Sequence, residues 1–443
     1  MSYWSQHRFS RIAVMFCFLA FGACVGACER WQPNYCPTAR NQSCLELDAA
    51  LPGACTVDQD CSGEMPVCDV IGAKTCVQCT TAESAACTGT TPVCSASNVC
   101  ERCIAHLQCP LSNTCLPDGS CADPGKIAYV SPSGTDNTEC SKGNPCTKVL
   151  KALATGRPYV KFHGTTDEGV SVSGGRVVTF LADPDAALTR RNGSGGSDAI
   201  VTVQDNGTSL SIYDLTIRDA PNSPGGIGCV VPTASGSPSL VLMRVKLINN
   251  PGGGISVAGG SLTVTQSTIS ENQGGGLTMS GAPMTFSIVN NFIYRNGNDV
   301  NASTGGLFLL PNGASKLEFN TIIDNKAKVA TTSAGGVFCD EVGFTAAHNI
   351  IFRNTGGMTG NVQTVGSCLY GDSLNAPGSS NVDNSPGFVH PNAIPFDYHL
   401  SATSPRTVID AAGACNGIDF DGEARPIGSA CDLGADEFKP GGQ

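Results

Sequence analysis

A repeat that begins at residue 217 constrains the fold of this chain more than any other feature of the sequence. Each copy starts with an apolar residue, and successive copies start 30, 22, 24, 29 and 29 residues apart. The apolar positions are Ile217, Leu247, Ile269, Ile293, Ile322 and Ile351. Three residues later come Ala220 in the first copy and, in the others, Asn250, Asn272, Asn296, Asn325 and Asn354. A Gly-Gly pair then follows each time, and in most copies a short strand such as Ile255-Ser256-Val257 comes next.

This period is typical of one coil of a parallel β-helix, in which short strands alternate with Gly/Asn turns. Coils stack about 4.8 Å apart, so equivalent residues lie in columns. The apolar column predicts the core, and the asparagine column predicts a ladder in which each amide donates to the next. We expect positive φ at the Gly-Gly bends. We therefore predict a mainly β protein whose body, residues 126–400, is a single-stranded right-handed parallel β-helix.

Cysteine spacing defines a second repeat, ahead of the β-helix. The chain has 24 cysteines, of which 12 form three sets of four between Cys55 and Cys121, and the sets begin 24 residues apart. Units this short bury too little apolar area to fold alone, which predicts disulfides within each set, with the pairing left open. An alternative is zinc, because Cys76/Cys79 and Cys100/Cys103 have zinc-ribbon spacing. Residues 29–124 are interpreted as a disulfide-rich stalk, which serves as a spacer or as a protein-binding module.

The first 27 residues predict an export signal. A basic start precedes an apolar run, Ile12–Ala23, that is too short to span a bilayer permanently. The following Val25-Gly26-Ala27-Cys28 resembles a bacterial lipobox, which implies that Cys28 is lipidated and holds the protein at the outer membrane or cell surface. Cys24 ends a poorer match, and ordinary cleavage after Ala27 would give a secreted protein. The net charge of -11 argues against nucleic acid as a partner.

Residues 129–136, followed by Cys140 and Cys146, resemble the start of bacterial pectate-lyase-like β-helix proteins. This resemblance implies an N-terminal cap with a short helix at residues 148–155 and a local Cys140–Cys146 pair. Residues 419–426 and 431–438 resemble the choice-of-anchor Q domain, so residues 401–438 are interpreted as a closing segment. The cysteine sets resemble repeats of myxobacterial surface proteins.

Two further cysteine pairs are expected within and after the coils. Cys415 and Cys431 are expected to close the last loop. Cys339 and Cys368 are separated by about one coil and are candidates for a pair between neighbouring coils. Cys229 is then left over, and we interpret it as a small buried residue.

Candidate chemistry lies in a charged column two residues after each apolar anchor. Its members are Asp219, Asn249, Glu271, Arg295, Asp324 and Arg353. One interpretation is a saccharide-binding or catalytic strip, with Glu271, Arg295 and Asp324 as the weak catalytic candidates. The favoured alternative is a solvated ladder of surface ion pairs. A polysaccharide lyase would need clustered carboxylates for Ca²⁺ and a base, and an inverting hydrolase would need close aspartates.

Two other acidic stretches are candidate sites. Asp419, Asp421 and Glu423 resemble a calcium loop, but a structural turn is favoured. Asp340-Glu341, near His348, is interpreted as a polar loop. The sequence therefore predicts no catalytic residue, no metal and no cofactor, and calcium is unsupported.

The function predicted from these features is that of an exported surface lipoprotein whose β-helix binds glycan or another cell-surface component without catalysis. The alternative is a polysaccharide lyase or glycoside hydrolase of pectate-lyase-like fold.

Overall fold

The structure is a computed structural model of the 443-residue chain. It describes residues 54–190, 199–220, 226–230, 238–280, 284–310, 314–330, 333–339, 345–356, 364–366, 369–370, 385–413, 415 and 417–441. These residues fall into two compact units: the described parts of Met1–Cys87 with Cys94–Cys100, and of Thr88–Val93 with Glu101–Gln443. Across the described ranges, no helix combines the length and apolar character needed to cross a membrane.

The cysteine repeats contain little regular structure and are held together by disulfides. Their strands are β1 (Val67–Cys68), β2 (Cys76–Val77), β3 (Val93–Cys94) and β4 (Cys100–Glu101), and their 3-10 helices are Asp58–Asp60, Ser84–Ala86 and His106–Gln108. In every set the first cysteine pairs with the third and the second with the fourth: Cys55–Cys68, Cys61–Cys76, Cys79–Cys94, Cys87–Cys100, Cys103–Cys115 and Cys109–Cys121. The predicted disulfides are confirmed, and the zinc-ribbon alternative is wrong because all its cysteines are cross-linked.

The first coil contains a short helix where the sequence predicts one. A 3-10 helix (Pro124–Lys126) leads into β5 (Ile127–Val130), and helix α1 (Val149–Ala154) precedes β6 (Tyr159–Phe162). Helix α1 buries Val149, Ala152 and Leu153 in the same hydrophobic core as the coils. Cys140 and Cys146 are joined by a disulfide in the loop before the helix.

The coils and the C-terminal region supply the remaining strands. They are β7 (Thr165–Asp167), β8 (Val170–Val172), β9 (Val177–Ala182), β10 (Ala187–Thr189), β11 (Val201–Gln204), β12 (Ser209–Tyr213), β13 (Thr216–Arg218), β14 (Ile227–Val230), β15 (Ser239–Met243), β16 (Lys246–Ile248), β17 (Ile255–Val257), β18 (Ser261–Thr265), β19 (Thr268–Ser270), β20 (Leu277–Met279), β21 (Thr285–Val289), β22 (Phe292–Tyr294), β23 (Leu307–Leu309), β24 (Lys316–Glu318), β25 (Thr321–Ile323), β26 (Val337–Cys339), β27 (Thr345–Ala347), β28 (Ile350–Phe352), β29 (Thr364–Gly366), β30 (Leu369–Tyr370), β31 (Phe388–His390), β32 (Asp397–Leu400), β33 (Gly417–Ile418) and β34 (Ala424–Arg425).

Three parallel sheets run the length of the coils. The first sheet contains every third strand from β7 to β28, the second runs from β8 to β29, and the third contains β5, β6 and every third strand from β9 to β30. The predicted apolar column is confirmed in the first sheet. Its members pair in direct register and are all fully buried: Ile217, Leu247, Ile269, Ile293, Ile322 and Ile351.

The predicted asparagines lie one above another in the turn that follows the first sheet. Asn272 Nδ2 donates to Asn296 Oδ1 at 2.8 Å, and Asn296 Nδ2 donates to Asn325 Oδ1 at 2.9 Å. Asn250 and Asn354 continue the ladder at its two ends with bonds of 2.9 Å. Each of the five side chains belongs to a fully buried residue. The ladder therefore satisfies amide groups that burial would otherwise leave without partners.

A second ladder, which the sequence analysis missed, lies in the turn before the first sheet. Asn291 Nδ2 donates to Asn320 Oδ1 at 2.9 Å, and Asn320 Nδ2 donates to Asn349 Oδ1 at 3.0 Å. Ser267 takes the equivalent place one coil earlier, where its backbone N–H donates to Asn291 Oδ1 at 2.9 Å. The signal was present in the sequence, because each of these asparagines lies two residues before an apolar anchor.

Residues other than glycine supply most of the left-handed backbone, which corrects one expectation. Positive φ occurs in two columns, one just before and one just after the strands of the first sheet. The first column contains Asp214, Arg244, Gln266, Asn290, Phe319 and His348. The second contains Asp219, Asn249, Glu271, Arg295, Asp324 and Arg353. In the Gly-Gly pairs, positive φ is found at Gly253 and Gly275. Other glycines are needed because backbones approach closely: a Cβ at Gly276 would lie 2.6 Å from Gly306 O.

The C-terminal region, residues 385–441, forms a second hydrophobic core against the outer face of the first sheet. Strands β31 and β32 pair antiparallel, as do β33 and β34. Tyr398, Leu400 and Leu433 pack in one cluster with Ile323 and Ile350 of the coils. Cys415 and Cys431 are joined by a disulfide. The predicted boundary between residues 400 and 401 remains a prediction.

Candidate functional site

The charged column faces solvent because its members have left-handed backbone at the edge of the first sheet. Side-chain exposure is 40% for Glu271, 43% for Arg295, 19% for Asp324 and 33% for Arg353. Arg295 Nε lies 3.8 Å from Glu271 Oε1, and Arg353 Nη2 lies 2.6 Å from Asp324 Oδ2. Glu271 and Asp324 therefore each lie beside a guanidinium of the next coil, as the alternation of charge in the sequence suggests. Asp219 instead lies 3.0 Å from Arg218 Nη1 of its own coil.

An open groove of about 760 Å³ runs beside this column. The coils contribute Arg295, Asp324 and Arg353 together with the exposed Lys326, and the loop before β32 contributes Phe396. The remaining lining residues are Gly297, Asn298, Asp299, Thr355, Pro391 and Asn392. We call this cavity the column groove.

Aromatic packing fixes one wall of the column groove. The Arg295 guanidinium carbon lies 4.0 Å from the centre of the Phe396 ring, which is the geometry of a cation–π contact. The Phe396 ring is parallel to Tyr398 within 9°. Tyr398 OH donates to Asp324 Oδ2 at 2.7 Å. Burial, together with the hydrogen bond to the Asp324 carboxylate, raises the pKa of Tyr398 well above its usual range.

The hydrogen bonds of Arg353 and Asp324 limit the chemistry that the groove can perform. Arg353 donates to Asn392 Oδ1 at 2.9 Å and to Pro391 O at 3.2 Å, besides its bond to Asp324. Asp324 Oδ2 accepts from both Tyr398 and Arg353. A carboxylate paired in this way is a poor base and a poor calcium ligand. Arg295 and Lys326 instead offer positively charged donors to the open space.

The sequence predicts the charged column but not the other residues that line the groove. Glu271, Arg295, Asp324 and Arg353 followed from the repeat, but Lys326 and Phe396 did not. Lys326 lies two residues after Asp324 and shares its coil, so its position could have been inferred. Phe396 belongs to the C-terminal region, outside the repeat, and no spacing rule connects it with the column.

The acidic stretch at residues 419–423 forms a turn, in keeping with the favoured interpretation. Asp419 is fully buried, and its two oxygens accept from Glu423 N at 2.8 Å and Glu437 N at 3.0 Å. Burial raises the pKa of the Asp419 carboxyl above its ordinary value. Asp421 faces a different group, since its Oδ2 lies 3.1 Å from His399 Nε2.

Several predicted site residues lie outside the described residues. They are Cys24, Cys28, Asp340, Glu341 and Cys368. Cys339, for which Cys368 is the predicted partner, is disulfide-bonded. Cys229 lies in β14, at a position whose side chain is likewise not described.

Comparison with known proteins bears on the fold. Residues 228–386 match a family model described as a right-handed β-helix region. A crystal structure of pectate lyase Pel9A matches with a TM-score of 0.41 and 15% sequence identity, covering 71% of this chain and 96% of that one. No curated protein sequence matches. With the three parallel sheets described above, the family match confirms the predicted fold class: a right-handed parallel β-helix preceded by a disulfide-rich repeat region.

Proposed function

We propose that this chain is an exported surface protein whose β-helix binds glycan through the column groove without cleaving it. The observation that carries the proposal is the arrangement of Arg295, Lys326 and Arg353 along one open groove beside the Phe396 ring. Guanidinium and ammonium groups donate several hydrogen bonds each to hydroxyl or carboxylate oxygens.

The length of the groove suits an extended ligand. Its charged residues come from successive coils, and strand pairing places Tyr294, Ile323 and Phe352 next to one another immediately before them. Neighbouring coils are separated by about 4.8 Å, so the groove presents donors at regular intervals. A polymer of repeating sugar units can use such a series of donors, whereas a compact ligand would contact only part of it.

The pairing of the carboxylates supports binding in preference to catalysis. Asp324 is engaged by Tyr398 and Arg353, and Glu271 lies beside Arg295. General acid–base cleavage needs a carboxyl group or base that is free to exchange a proton with the substrate. A lyase or hydrolase of pectate-lyase-like fold, the alternative, would need these carboxylates to exchange protons with the substrate although they are paired with tyrosine or arginine side chains.

The cellular setting is also a proposal. The lipobox resemblance supports lipidation at Cys28 and display at the outer membrane or cell surface, with the cysteine repeats as a spacer. Resemblance to myxobacterial surface proteins and to the choice-of-anchor Q domain supports the same setting. Mass spectrometry of the mature N-terminus tests it: a diacylated Cys28 is expected, and an unmodified N-terminus after Ala27 would contradict it.

A polysaccharide panel tests the function directly. The purified chain is incubated with neutral and acidic polysaccharides, bound fractions are measured, and the products are analysed. We expect binding of at least one polymer with no unsaturated uronides and no new reducing ends. Appearance of either product would refute the non-catalytic proposal in favour of the enzyme, and Glu271→Ala would then show whether the column performs the cleavage.

Variants locate the binding surface. Loss of a charge-assisted hydrogen bond costs about 1.5–3 kcal/mol, so we expect Arg295→Ala and Lys326→Ala each to weaken binding by about tenfold or more. Lys151→Ala is the matched control, because Lys151 is also exposed but lies in helix α1. Equal affinity in all the variants would exclude the column groove as the site.

A further inference from the structure

A second cavity, of about 290 Å³, lies in the C-terminal region and is lined mainly by ionisable groups. Its lining residues are Asp397, His399, Asp421, Glu423, Asp436, Glu437 and Lys439. One side chain at the rim is already paired, since Lys439 Nζ lies 2.8 Å from Glu423 Oε1. Glu437 is also paired, because its Oε2 lies 2.9 Å from Arg425 Nη1. The groups whose polar atoms lie close together in the cavity are His399, Asp421 and Asp436.

His399 is held in a fixed orientation by its neighbours. The side chains of Asp397 and His399 meet at 2.6 Å between Oδ1 and Nδ1. The imidazole also contacts Phe292 and Phe420 edge-on, with ring centres 4.8 Å and 5.9 Å away. When Nδ1–H donates to Asp397, the neutral ring carries its lone pair on Nε2. A carboxylate that fixes a histidine in this way is the usual support of a metal-binding imidazole.

The second nitrogen of His399, Nε2, faces the Asp421 carboxylate at the cavity. Nε2 is buried, and among the described residues no group makes a hydrogen bond to it. Asp421 Oδ2 lies 3.1 Å away, close enough for an ion pair but outside hydrogen-bonding geometry. A metal ion between Nε2 and the Asp421 carboxylate would bond to both groups.

Asp436 presents a buried carboxyl group to the same cavity. The residue is only 5% exposed. Its Oδ2 accepts from Leu400 N at 2.6 Å. A carboxylate that is this deeply buried is stabilised by a cation or a further donor. The ligand atoms of His399, Asp421 and Asp436 all lie within 4.8 Å of one another.

We propose that His399, Asp421 and Asp436 bind a divalent transition-metal ion, with Zn²⁺ as the best match. One imidazole nitrogen and two carboxylate oxygens suit zinc, whereas Ca²⁺ prefers six or more oxygen ligands. Three protein ligands leave one position of a tetrahedral ion for water, and the cavity is open enough to admit it. The ion would join β32 to the two loops that carry the aspartates. The acidic stretch at residues 419–423 does not by itself predict a metal site, because His399 and Asp436 lie outside it.

Metal titration of the full-length chain tests this proposal. Disulfides are kept intact, free thiols are alkylated, metal is removed with a chelator, and Zn²⁺ binding is followed by calorimetry. Co²⁺ absorption provides a second readout of the coordination geometry. We expect one ion per chain and a tetrahedral Co²⁺ spectrum. Absence of both, or binding of Ca²⁺ alone, would overturn the assignment.

Variants distinguish the proposed ligands from adventitious binding. Asp421 is half-exposed, so Asp421→Asn should fold normally and weaken Zn²⁺ binding by about tenfold or more. Asp397→Asn removes the carboxylate that orients His399 but none of the proposed ligands, and it should weaken Zn²⁺ binding by about 10- to 100-fold and change the Co²⁺ spectrum. His163→Gln is the control, because His163 is an exposed histidine that also pairs with an aspartate. Unchanged affinity in Asp421→Asn would refute the site, and the column groove would be unaffected by either result.

Discussion

At the scale of single residues, the two asparagine ladders explain how polar turns are buried inside a stack of coils. Asn296 shows the principle, because its Nδ2 donates to Asn325 Oδ1 and to Ile269 O, while its Oδ1 accepts from the backbone and side chain of Asn272. An amide is suited to this position because it donates and accepts at once. The first ladder could be predicted from spacing alone. The second was overlooked because Ser267 interrupts its pattern one coil earlier.

Removal of one asparagine side chain from the first ladder should destabilise the coils. Asn296→Ala leaves Asn272 N–H and Ile269 C=O buried without their partners, and each such loss costs about 1–3 kcal/mol. We expect a loss of about 2–4 kcal/mol in the free energy of unfolding, measured by chemical denaturation. Asn301→Ala is the matched control, because Asn301 is exposed. Equal midpoints of chemical denaturation for the two variants would show that the ladder contributes nothing to stability.

At the scale of structural elements, the turn before the ladder decides which side chains reach solvent. Glu271, Arg295, Asp324 and Arg353 all have left-handed backbone and directly precede a buried asparagine. This column can be predicted from the sequence because each member lies two residues after an apolar anchor of the repeat. It did not reveal the groove, since Phe396 and Tyr398 come from the C-terminal region and meet the column through contacts unrelated to the repeat. Long-range packing of that kind leaves no periodic signal in the sequence.

The C-terminal region should respond to pH through its buried carboxyls. Burial raises the pKa of Asp432 to about 6, above its unfolded value of 3.8. The folded state therefore binds this proton more tightly, and stability falls as pH rises from about 4 to about 6. Hydrogen exchange of residues 397–441, corrected for intrinsic rates, should show protection decreasing over this range in chelated samples.

A variant isolates the contribution of Asp432. Asp432→Asn cannot ionise, so the fall in protection between about pH 4 and about pH 6 should be smaller than in the wild type. Asp299→Asn serves as the control, because Asp299 is exposed and far along the chain from this region. A pH profile in Asp432→Asn as steep as that of the wild type would assign the effect to other groups.

At the scale of the whole β-helix, stability depends on each coil contacting its neighbours. Coils cannot bury their apolar faces alone, so the stack needs protected ends. Helix α1 packs into the core at the first coil, and the C-terminal region packs against the outer face of β22, β25 and β28. The repeat predicted the fold class and the core column, because stacking forces equivalent residues into register. The sequence leaves the cysteine pairing within each set open, because any four cysteines can pair in more than one way.

The column arrangement itself can be tested by engineered disulfides. Ser256 in β17 pairs directly with Thr278 in β20, and Thr278 pairs with Phe308 in β23. Adjacent coils bring such residues within disulfide range, whereas two coil spacings, about 9.6 Å, exceed it. Non-reducing peptide mass spectrometry should find a cross-link in Ser256→Cys/Thr278→Cys and none in Ser256→Cys/Phe308→Cys. No cross-link in the first variant, or an equal yield in the second, would contradict the stacked β-helix.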